Sequence, residues 1–377
     1  CDMLHDKLKA LWARISPPQK AAFFGCFLSG YLVHLYVFTN IIPNSDGLSR
    51  IFDPQQMTVS GRWFLHFASY FNGFTQMPAV IGLFSVLFLA LAAALAVSLL
   101  GIRSRALSAL SGALMAAFPA VGYTFLYLFT ASAYCFAIFL AVLSVSLARR
   151  GRWHWLAGCL LLACSMGTYQ AYVTVAIGLS LLVIFRETLD PSASFSATLR
   201  LGVRLMLFLA AGAVLYYGIL LVFLQVKDLE LLSYLGMDAA SSGYPFSRLP
   251  GLLLDTYKQV AAFFFLPGSA NTFTSGWMAV LDLAALALGG GCFLLCMGQE
   301  GLWRARWRPL GGLAMLALLP LGINFGQILS PWSAPTPLMK YAFVLVYLAV
   351  VLLADRALPA AGAGASVLRR RAAPCAA

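Results

Sequence analysis

The chain has 377 residues, of which 61% are hydrophobic and only 10% are charged, and its formal net charge is +12. Soluble globular chains carry about 45–50% apolar and about 25% charged residues, so this composition excludes a soluble enzyme, a disordered tail and a coiled coil. The mean hydropathy of +0.85 supports the same conclusion. The sequence therefore predicts an all-α membrane protein that crosses the bilayer many times.

Ten apolar segments come close to the length of about 20 residues that a membrane-spanning helix needs. The fifth is short, and with the sixth it predicts a tight helical hairpin around Gly167. We expect a cytoplasmic segment at 1–20, a transmembrane domain at 21–354 and a cytoplasmic tail rich in Ala and Arg at 355–377. In chain order the ten spans lie at 21–42, 78–100, 105–122, 130–148, 154–167, 170–185, 201–224, 276–298, 309–329 and 338–354.

The basic residues test this helix count, because Lys and Arg accumulate in cytoplasmic loops. With both termini in the cytoplasm, most of the 25 basic residues fall in cytoplasmic segments. The same rule explains the positive net charge without a nucleic-acid partner. Two outer segments, 43–77 and 225–275, are long, and long ordered loops are usually functional. We therefore expect the chemistry on the outer side of the membrane.

The first long outer segment contains the candidate catalytic residues. Asp46 and Asp53 follow the first span, where lipid headgroups meet water. A carboxylate there could act as the general base that removes a proton from an acceptor hydroxyl. Arg50 or Arg62 could hold a phosphate by charge-assisted hydrogen bonds. The alternative is that Asp46 only caps a short helix, because the run Asn-Ser-Asp at 44–46 is also good capping chemistry.

Polar side chains that could bind a sugar or an acceptor lie in two parts of the chain. The hairpin between the fifth and sixth spans contributes Tyr169, Gln170 and Tyr172, and the first outer segment contributes Asn44 and His66. For the tyrosines the alternative is an interfacial aromatic belt beside a turn. For a lone histidine the alternative is a structural role.

Two lysines are further candidates for binding a phosphate. Lys340 stands at the start of the last span, and Lys258 lies in the second long outer segment. Lys340 could contact a lipid phosphate, or it could extend to the outer headgroups without any catalytic role. Asp282 lies inside the eighth span, where a carboxylate is costly unless it is paired or faces a cavity.

The sequence contains no nucleotide-binding or metal-ligand motif. Cys292 and Cys296 are four residues apart, but they lie in an apolar run without a nearby His or carboxylate, which favours core packing. A phosphate leaving group can be neutralised by Arg or Lys alone. The sequence therefore identifies no cofactor with certainty, and it does not exclude a divalent metal ion.

Three short motifs carry a resemblance to a known family. They read NSDGLSR at 44–50, SGRW at 60–63 and MGTYQAY at 166–172. Their order resembles that of the bacterial O-antigen glucosyl transferases of type-two Gtr proteins, which modify lipopolysaccharide. The resemblance implies a GT-C-like fold in the bacterial inner membrane. It also implies transfer of a sugar, such as glucose, from a polyprenyl-phosphate donor to a glycan on the outer face, with inversion.

The same resemblance implies an essential acidic residue in the first outer loop, which by position is Asp46. Many members of that family carry a second acidic residue beside it. Here the neighbour is Gly47, and Asp53 is the next carboxylate, so the paired arrangement is not reproduced.

Two other functions remain as alternatives from the sequence. A transporter or flippase of a lipid-linked sugar would need charged residues near the bilayer midplane, whereas this chain keeps its charges near the ends of its spans, with Asp282 as the marginal exception. A structural scaffold would not need a long polar outer loop with Asp and Arg. The distribution of charge thus favours an enzyme that works at the membrane surface.

Overall fold

The computed structural model describes Asp6, Lys9 and residues 12–42, 44–48, 57–72, 77–231, 246–268, 274–299, 301–331 and 336–358. Helices joined by short turns make up these residues, and the described part of the chain contains no β-strand. The prediction of an all-α membrane protein is confirmed. Short stretches of 3-10 helix lie at Thr58–Ser60, Ser69–Asn72, Gln170–Tyr172, Phe246–Arg248, Leu302–Arg304 and Pro337–Phe343.

The α-helices are α1 (Pro17–Thr39), α2 (Ser45–Leu48), α3 (Leu65–Ala68), α4 (Pro78–Leu100), α5 (Arg105–Ala117), α6 (Pro119–Leu126), α7 (Leu128–Ala148), α8 (Arg152–Thr168), α9 (Val173–Thr188), α10 (Phe195–Val226), α11 (Leu249–Phe265), α12 (Gly276–Gln299), α13 (Trp307–Ile323), α14 (Phe325–Leu329) and α15 (Val344–Ala357).

Helices occupy all ten predicted spans, but two of them are shorter than the sequence suggested. Eight helical segments of the described chain are long and apolar enough to cross a membrane. The fifth and ninth predicted spans correspond to α8 and α13, which have 17 residues each. At 1.5 Å per residue each is about 25 Å long, slightly less than the hydrocarbon core. The ninth ends early because Asn324, outside helical geometry, separates α13 from α14.

The third predicted span is bent into two helices, α5 and α6. Phe118 has an extended backbone, with φ −60° and ψ 136°, and Pro119 is the first residue of α6. The ring of a proline disfavours helical geometry in the residue before it, and the proline itself suits the first helical position. The sequence Phe-Pro therefore places the bend.

Close helix packing depends on small residues where α1 crosses α5. A Cβ atom at Gly112 would lie 2.1 Å from the carbonyl oxygen of Ala22. Such a distance is impossible for any residue with a side chain, so the glycine is required for this approach. Helices within membranes associate through close contacts of this kind, because lipid tails are as apolar as the helices and the hydrophobic effect does not drive the helices together.

The successive helices run between two ends of the bundle, and one end is rich in arginine. We call it the arginine end, and it holds the turns at 101–104, 149–151 and 189–194. Arg204 donates to the carbonyl oxygens of Ala148 and Arg150, at 2.7 Å for Ala148. Arg186 donates to Leu99 O at 2.8 Å. These carbonyls lie where α7 and α4 end, and a cation there satisfies acceptors that the helix leaves open.

Arg308 does the same for the end of α9. Its guanidinium is buried and donates to four backbone carbonyl oxygens between Thr188 and Ala193, including Ala193 O at 2.7 Å. The sequence suggested only an orienting role for such arginines. The structure shows that several of them also join helix ends.

Asp355 fixes the last helix to the arginine end. Its carboxylate is 4% exposed, taken over the residue, and accepts the backbone N–H groups of Arg103 at 3.0 Å and Ser104 at 2.8 Å. The Nε atom of Arg103 lies 3.5 Å from the same carboxylate. A single buried acid thereby satisfies two N–H groups in the turn between α4 and α5.

We expect Asp355→Ala to lower the stability of the protein. The change leaves two backbone donors without their acceptor, at a cost of roughly 1–3 kcal/mol for each that stays buried. Thermal unfolding in detergent should show a lower midpoint. Asp6→Ala, which removes an exposed carboxylate, is the control. Equal midpoints for the two variants would contradict the role of Asp355.

Candidate active site

The motifs at 60–63 and 166–172, which lie about a hundred positions apart in the sequence, meet at the other end of the bundle. We call this the polar end, and it holds α2, the segment 57–72, the turn 169–172 and the segment 337–343. The backbone N–H of Phe64 donates to the carbonyl oxygen of Gly167 at 2.7 Å. The side chain of Gln170 donates from Nε2 to the carbonyl oxygen of Ser60 at 2.8 Å. The segment 57–72 is therefore fixed onto the end of α8.

Tyr216 of α10 completes this attachment. Its hydroxyl donates to the carbonyl oxygen of Gly61 at 3.1 Å and accepts from Gln170 Nε2 at 3.1 Å. The side chain is buried, with 6% exposure for the residue. Two adjacent backbone carbonyls are thus held by two side chains that also bind each other. We call Gln170 and Tyr216 the carbonyl clamp.

Trp63 shows why a glycine stands at the end of α8. A Cβ atom at Gly167 would lie 2.6 Å from Cε2 of Trp63. On its other side the Trp63 ring stacks on Phe223 of α10, with centroids 5.7 Å apart and planes at 16°. The indole is held between two helices, and this fixes the direction of the residues on either side of it.

Arg62 is held over a group of tyrosine rings. Its Cζ atom lies 4.9 Å from the centroid of the Tyr169 ring, and its Nη1 donates to the hydroxyl of Tyr134 at 3.3 Å. The rings of Tyr134 and Tyr169 stack with centroids 4.7 Å apart. A guanidinium above an aromatic face gains cation–π attraction. The arrangement places a fixed positive charge at the polar end.

Tyr169 and Tyr172 lie in the core in this conformation. Tyr169 is 3% exposed and Tyr172 is 1% exposed, and their ring centroids are 5.4 Å apart. Tyr172 also packs edge-on against Tyr134, with centroids 6.1 Å apart. Tyr169 contacts Arg62 directly, and Tyr172 packs on Tyr169 and Tyr134; sugar contact by either residue stays a prediction. They do not form an exposed interfacial belt.

Lys340 belongs to a segment near the end of the described chain that contacts the same turn. It lies in the segment 337–343, which packs against α6 and the turn 169–172. Lys340 is 6% exposed, and its Nζ lies 5.7 Å from the centroid of Phe263. An extended lysine in contact with water would be exposed, so the snorkelling alternative does not describe this residue.

The short helix α2 is capped by the side chain of Asn44. The Asn44 side chain accepts the backbone N–H groups of Asp46 at 2.9 Å and Gly47 at 3.4 Å. Asn44 therefore caps the first turn of α2, and the catalytic role of Asp46 stays a prediction. Asp46 is exposed in the first turn of this helix. Two other predicted site residues, Arg50 and Asp53, lie outside the described residues.

The remaining candidate residues each have partners of their own. His66 is half-buried, with its ring 5.5 Å from that of Tyr70, and it shares a small cavity with Arg62 and Lys227. Lys258 is exposed and pairs with Asp255 at 3.3 Å. The acid of the eighth span, Asp282, is half-buried and accepts a hydrogen bond from the Tyr347 hydroxyl at 2.6 Å.

A large apolar cavity opens among α11, α12, α13 and α15. Its volume is about 440 Å³, and Phe264, Gly289, Pro320 and Val350 are among the residues that line it. Phe264 stacks on Phe343, with centroids 6.2 Å apart. Phe343 belongs to the same segment as Lys340, so a residue of the cavity wall contacts that segment. The residues that line the cavity are apolar or aromatic, which suits an apolar group rather than a sugar.

Within the described residues, no group of three or more His, Cys, Asp or Glu side chains is arranged to hold a metal ion. His34, a further lone histidine of the first span, bonds through Nε2 to the carbonyl oxygen of Ala116 at 2.9 Å. Its position deep among helices gives it a structural role.

Sequence reasoning missed two residues of this centre. Tyr216 is one hydroxyl within a long apolar helix, beside a second tyrosine, so nothing in the sequence separates it from packing residues. Lys227 directly follows α10 and reads as an ordinary loop charge. The spatial contacts with the segment 57–72 identify both.

Comparison with known families gives one match. The family model described as glucosyl transferase GtrII matches residues 35–353. This range includes every motif that forms the polar end. Comparisons with curated proteins and with solved structures gave no match.

We expect Tyr216→Phe to loosen the segment that carries Arg62. The change removes the donor to Gly61 O and one acceptor of Gln170, which costs roughly 1–3 kcal/mol if the carbonyl stays buried. Limited proteolysis should cut the segment 57–72 faster in the variant. The matched control is Tyr217→Phe, because the neighbouring tyrosine is 54% exposed. Equal cleavage of both variants would contradict the clamp.

Proposed function

The chain belongs to the glucosyl transferase GtrII family, and we propose that it moves a sugar, glucose in the first instance, from a polyprenyl-phosphate donor to a glycan. The acceptor is a polysaccharide such as the O-antigen of lipopolysaccharide. The reaction takes place on the outer face of the bacterial inner membrane. Since the family consists of transferases, the alternative of a transporter or flippase loses its support.

The observation that carries this proposal is the meeting of Arg62 and Lys340 around one turn. Both segments pack on the turn 169–172, Arg62 through the Tyr169 ring and Lys340 through the segment 337–343. A donor with a hydrocarbon tail must keep its phosphate near the headgroup level. Two cations at one end of a helical bundle meet that requirement, and Arg50 and Lys258 are further candidates in the same outer segments.

The apolar cavity supports a lipid-linked donor rather than a free nucleotide sugar. Its walls come from four helices, and Phe264 in its wall contacts Phe263, whose ring lies 5.7 Å from Lys340 Nζ. A prenyl tail in the cavity would place its phosphate beside a positive charge. Burial of that tail stabilises the bound donor and the transition state alike, so it contributes to binding and not to the chemical step.

The proposed reaction is a single displacement. The acceptor hydroxyl oxygen attacks the anomeric carbon, the bond between that carbon and the phosphate oxygen breaks, and the hydroxyl proton moves to the Asp46 carboxylate. The leaving phosphate gains negative charge, which Arg62 and Lys340 stabilise. One displacement inverts the configuration at the anomeric carbon. Asn44 supports Asp46 by capping α2.

The orientation follows from the arginine end. Lys and Arg mark the cytoplasmic side of membrane proteins, and the turns at 101–104, 149–151 and 189–194 belong to that end. We therefore propose that the polar end faces outward and that both termini face the cytoplasm.

Asp46→Asn should abolish most of the transfer activity and leave the fold unchanged. Asn keeps the size of Asp but cannot accept the proton, and general base assistance is worth about 10²–10⁴ in rate. The assay measures sugar transfer by purified protein from a polyprenyl-phosphate glucose donor to an O-antigen acceptor.

The matched control for this assay is Asp228→Asn. Asp228 is also an exposed carboxylate of the outer segments, and its φ of 51° is one that Asn tolerates. A folded Asp46→Asn protein that keeps normal turnover would eliminate Asp46 as the base.

Arg62→Ala and Lys340→Met should lower turnover more than they weaken donor binding. Phosphate contacts strengthen as the sugar bond breaks, and the loss of one such donor costs about 10²–10³ in rate in other enzymes. Arg62→Lys should restore only part of the rate, because lysine lacks the planar fork of arginine. Steady-state kinetics over a range of donor concentrations separate the two effects. Normal turnover with a higher donor requirement would show that these cations only hold the lipid.

A further inference from the structure

A small polar cavity lies between the segment 57–67 and the end of α10, and it shares no lining residue with the apolar cavity. Its volume is about 30 Å³, which is enough for about one or two water molecules. Arg62, His66 and Lys227 line it together with Thr58, Trp63 and Phe223. Three side chains that can carry positive charge or donate N–H groups therefore meet around one space, and two of them are not needed for the mechanism above.

The walls of the cavity are fixed on one side and movable on the other. Trp63 and Phe223 stack on each other, and Arg62 is held over the Tyr169 ring. Lys227 is exposed, and its Nζ lies 5.6 Å from the centroid of the Phe223 ring. A lysine on a flexible stem can move its three donors outward, so the cavity can widen on the side of Lys227 while Arg62 stays in place.

The charges around the cavity favour an anion. Arg62 and Lys227 both bear positive charge, and no carboxylate is among the side chains that line the space in the described part of the chain. Two cations that face one small cavity repel each other, and an anion placed between them removes that repulsion. The Thr58 hydroxyl adds a neutral donor of the kind that phosphate groups accept.

We propose that Lys227 and His66 join Arg62 in binding the phosphate of the lipid donor in this cavity. The inference rests on the proposed function, since it assigns the anion to the donor. It adds two binding residues to the site and places the phosphate on the side of Arg62. Neither Lys340 nor Lys258 lines this cavity, so Lys227 and His66 add to the cations already assigned to the phosphate and do not replace them.

The test measures binding, independent of sugar transfer. Purified full-length protein in detergent is titrated with farnesyl phosphate, with farnesol and with inorganic phosphate. We expect farnesyl phosphate to bind more tightly than farnesol. Lys227→Gln should weaken farnesyl phosphate about tenfold or more, the usual effect of losing a hydrogen bond to a charged group, and should leave farnesol unchanged. Lys227→Arg should retain most of the affinity.

The matched control is Arg248→Gln, which removes an exposed cation of the second outer segment that does not line the cavity. Unchanged binding of farnesyl phosphate by Lys227→Gln, or an equal loss in the control, would overturn the site. Equal affinity of the wild-type protein for farnesol and farnesyl phosphate would also overturn it. If inorganic phosphate displaces farnesyl phosphate at equal concentration, the cavity recognises free phosphate and the assignment to the lipid donor is wrong.

The outcome is separable from the proposed function. Binding of farnesyl phosphate that depends on Lys227, in a protein that transfers no sugar, would keep the anion site and reject the transferase mechanism. Sugar transfer that is normal in Lys227→Gln, together with unchanged binding, would keep the mechanism and reject the site.

Discussion

The polar end depends on how two backbone carbonyls are satisfied. The carbonyl oxygen of Ser60 accepts from Gln170, which follows α8. The carbonyl oxygen of Gly61 accepts from Tyr216 of α10. An unsatisfied carbonyl in such surroundings costs as much as a lost hydrogen bond. The clamp therefore fixes the backbone immediately before Arg62. With Trp63 wedged against Gly167 on the other side, the guanidinium has little freedom of position.

A fixed cation in a partly buried site is more useful to chemistry than a mobile one in water. Aromatic rings surround Arg62 with material of low polarity, which strengthens its interaction with a nearby negative charge. The rings also hold it in place before the reaction, so no reorganisation is required when charge develops. The opposite end of the bundle uses arginine differently, because Arg186, Arg204 and Arg308 spend their donors on helix-terminal carbonyls. At the polar end, Arg62 and Lys227 instead line a cavity.

Much of the fold could be predicted because each spanning helix leaves a local signal. Each of the ten apolar runs contains a helix, eight of them in segments long and apolar enough to cross a membrane, and the Phe-Pro pair at 118–119 marks a bend by a local rule. The site is different, because it depends on contacts between distant parts of the chain: Gln170 and Ser60 are 110 positions apart. Motif order brought both segments to attention, but it did not show that they touch. The sequence also did not identify Asn44 as the cap of α2. Asn and Asp cap helices about equally well, and only the backbone geometry shows that the Asn44 side chain accepts from Asp46 N.

A donor with a long apolar tail and one phosphate presents a particular energetic problem. The tail can supply most of the binding energy, yet that energy is the same before and during the reaction. Acceleration must then come from the few atoms at the phosphate and the acceptor hydroxyl. Two separate cavities fit this requirement. The apolar cavity among α11, α12, α13 and α15 shares no lining residue with the small cavity beside Arg62. For the proposed donor, changes in the apolar cavity would then alter binding, whereas changes at Arg62 would alter the chemical step.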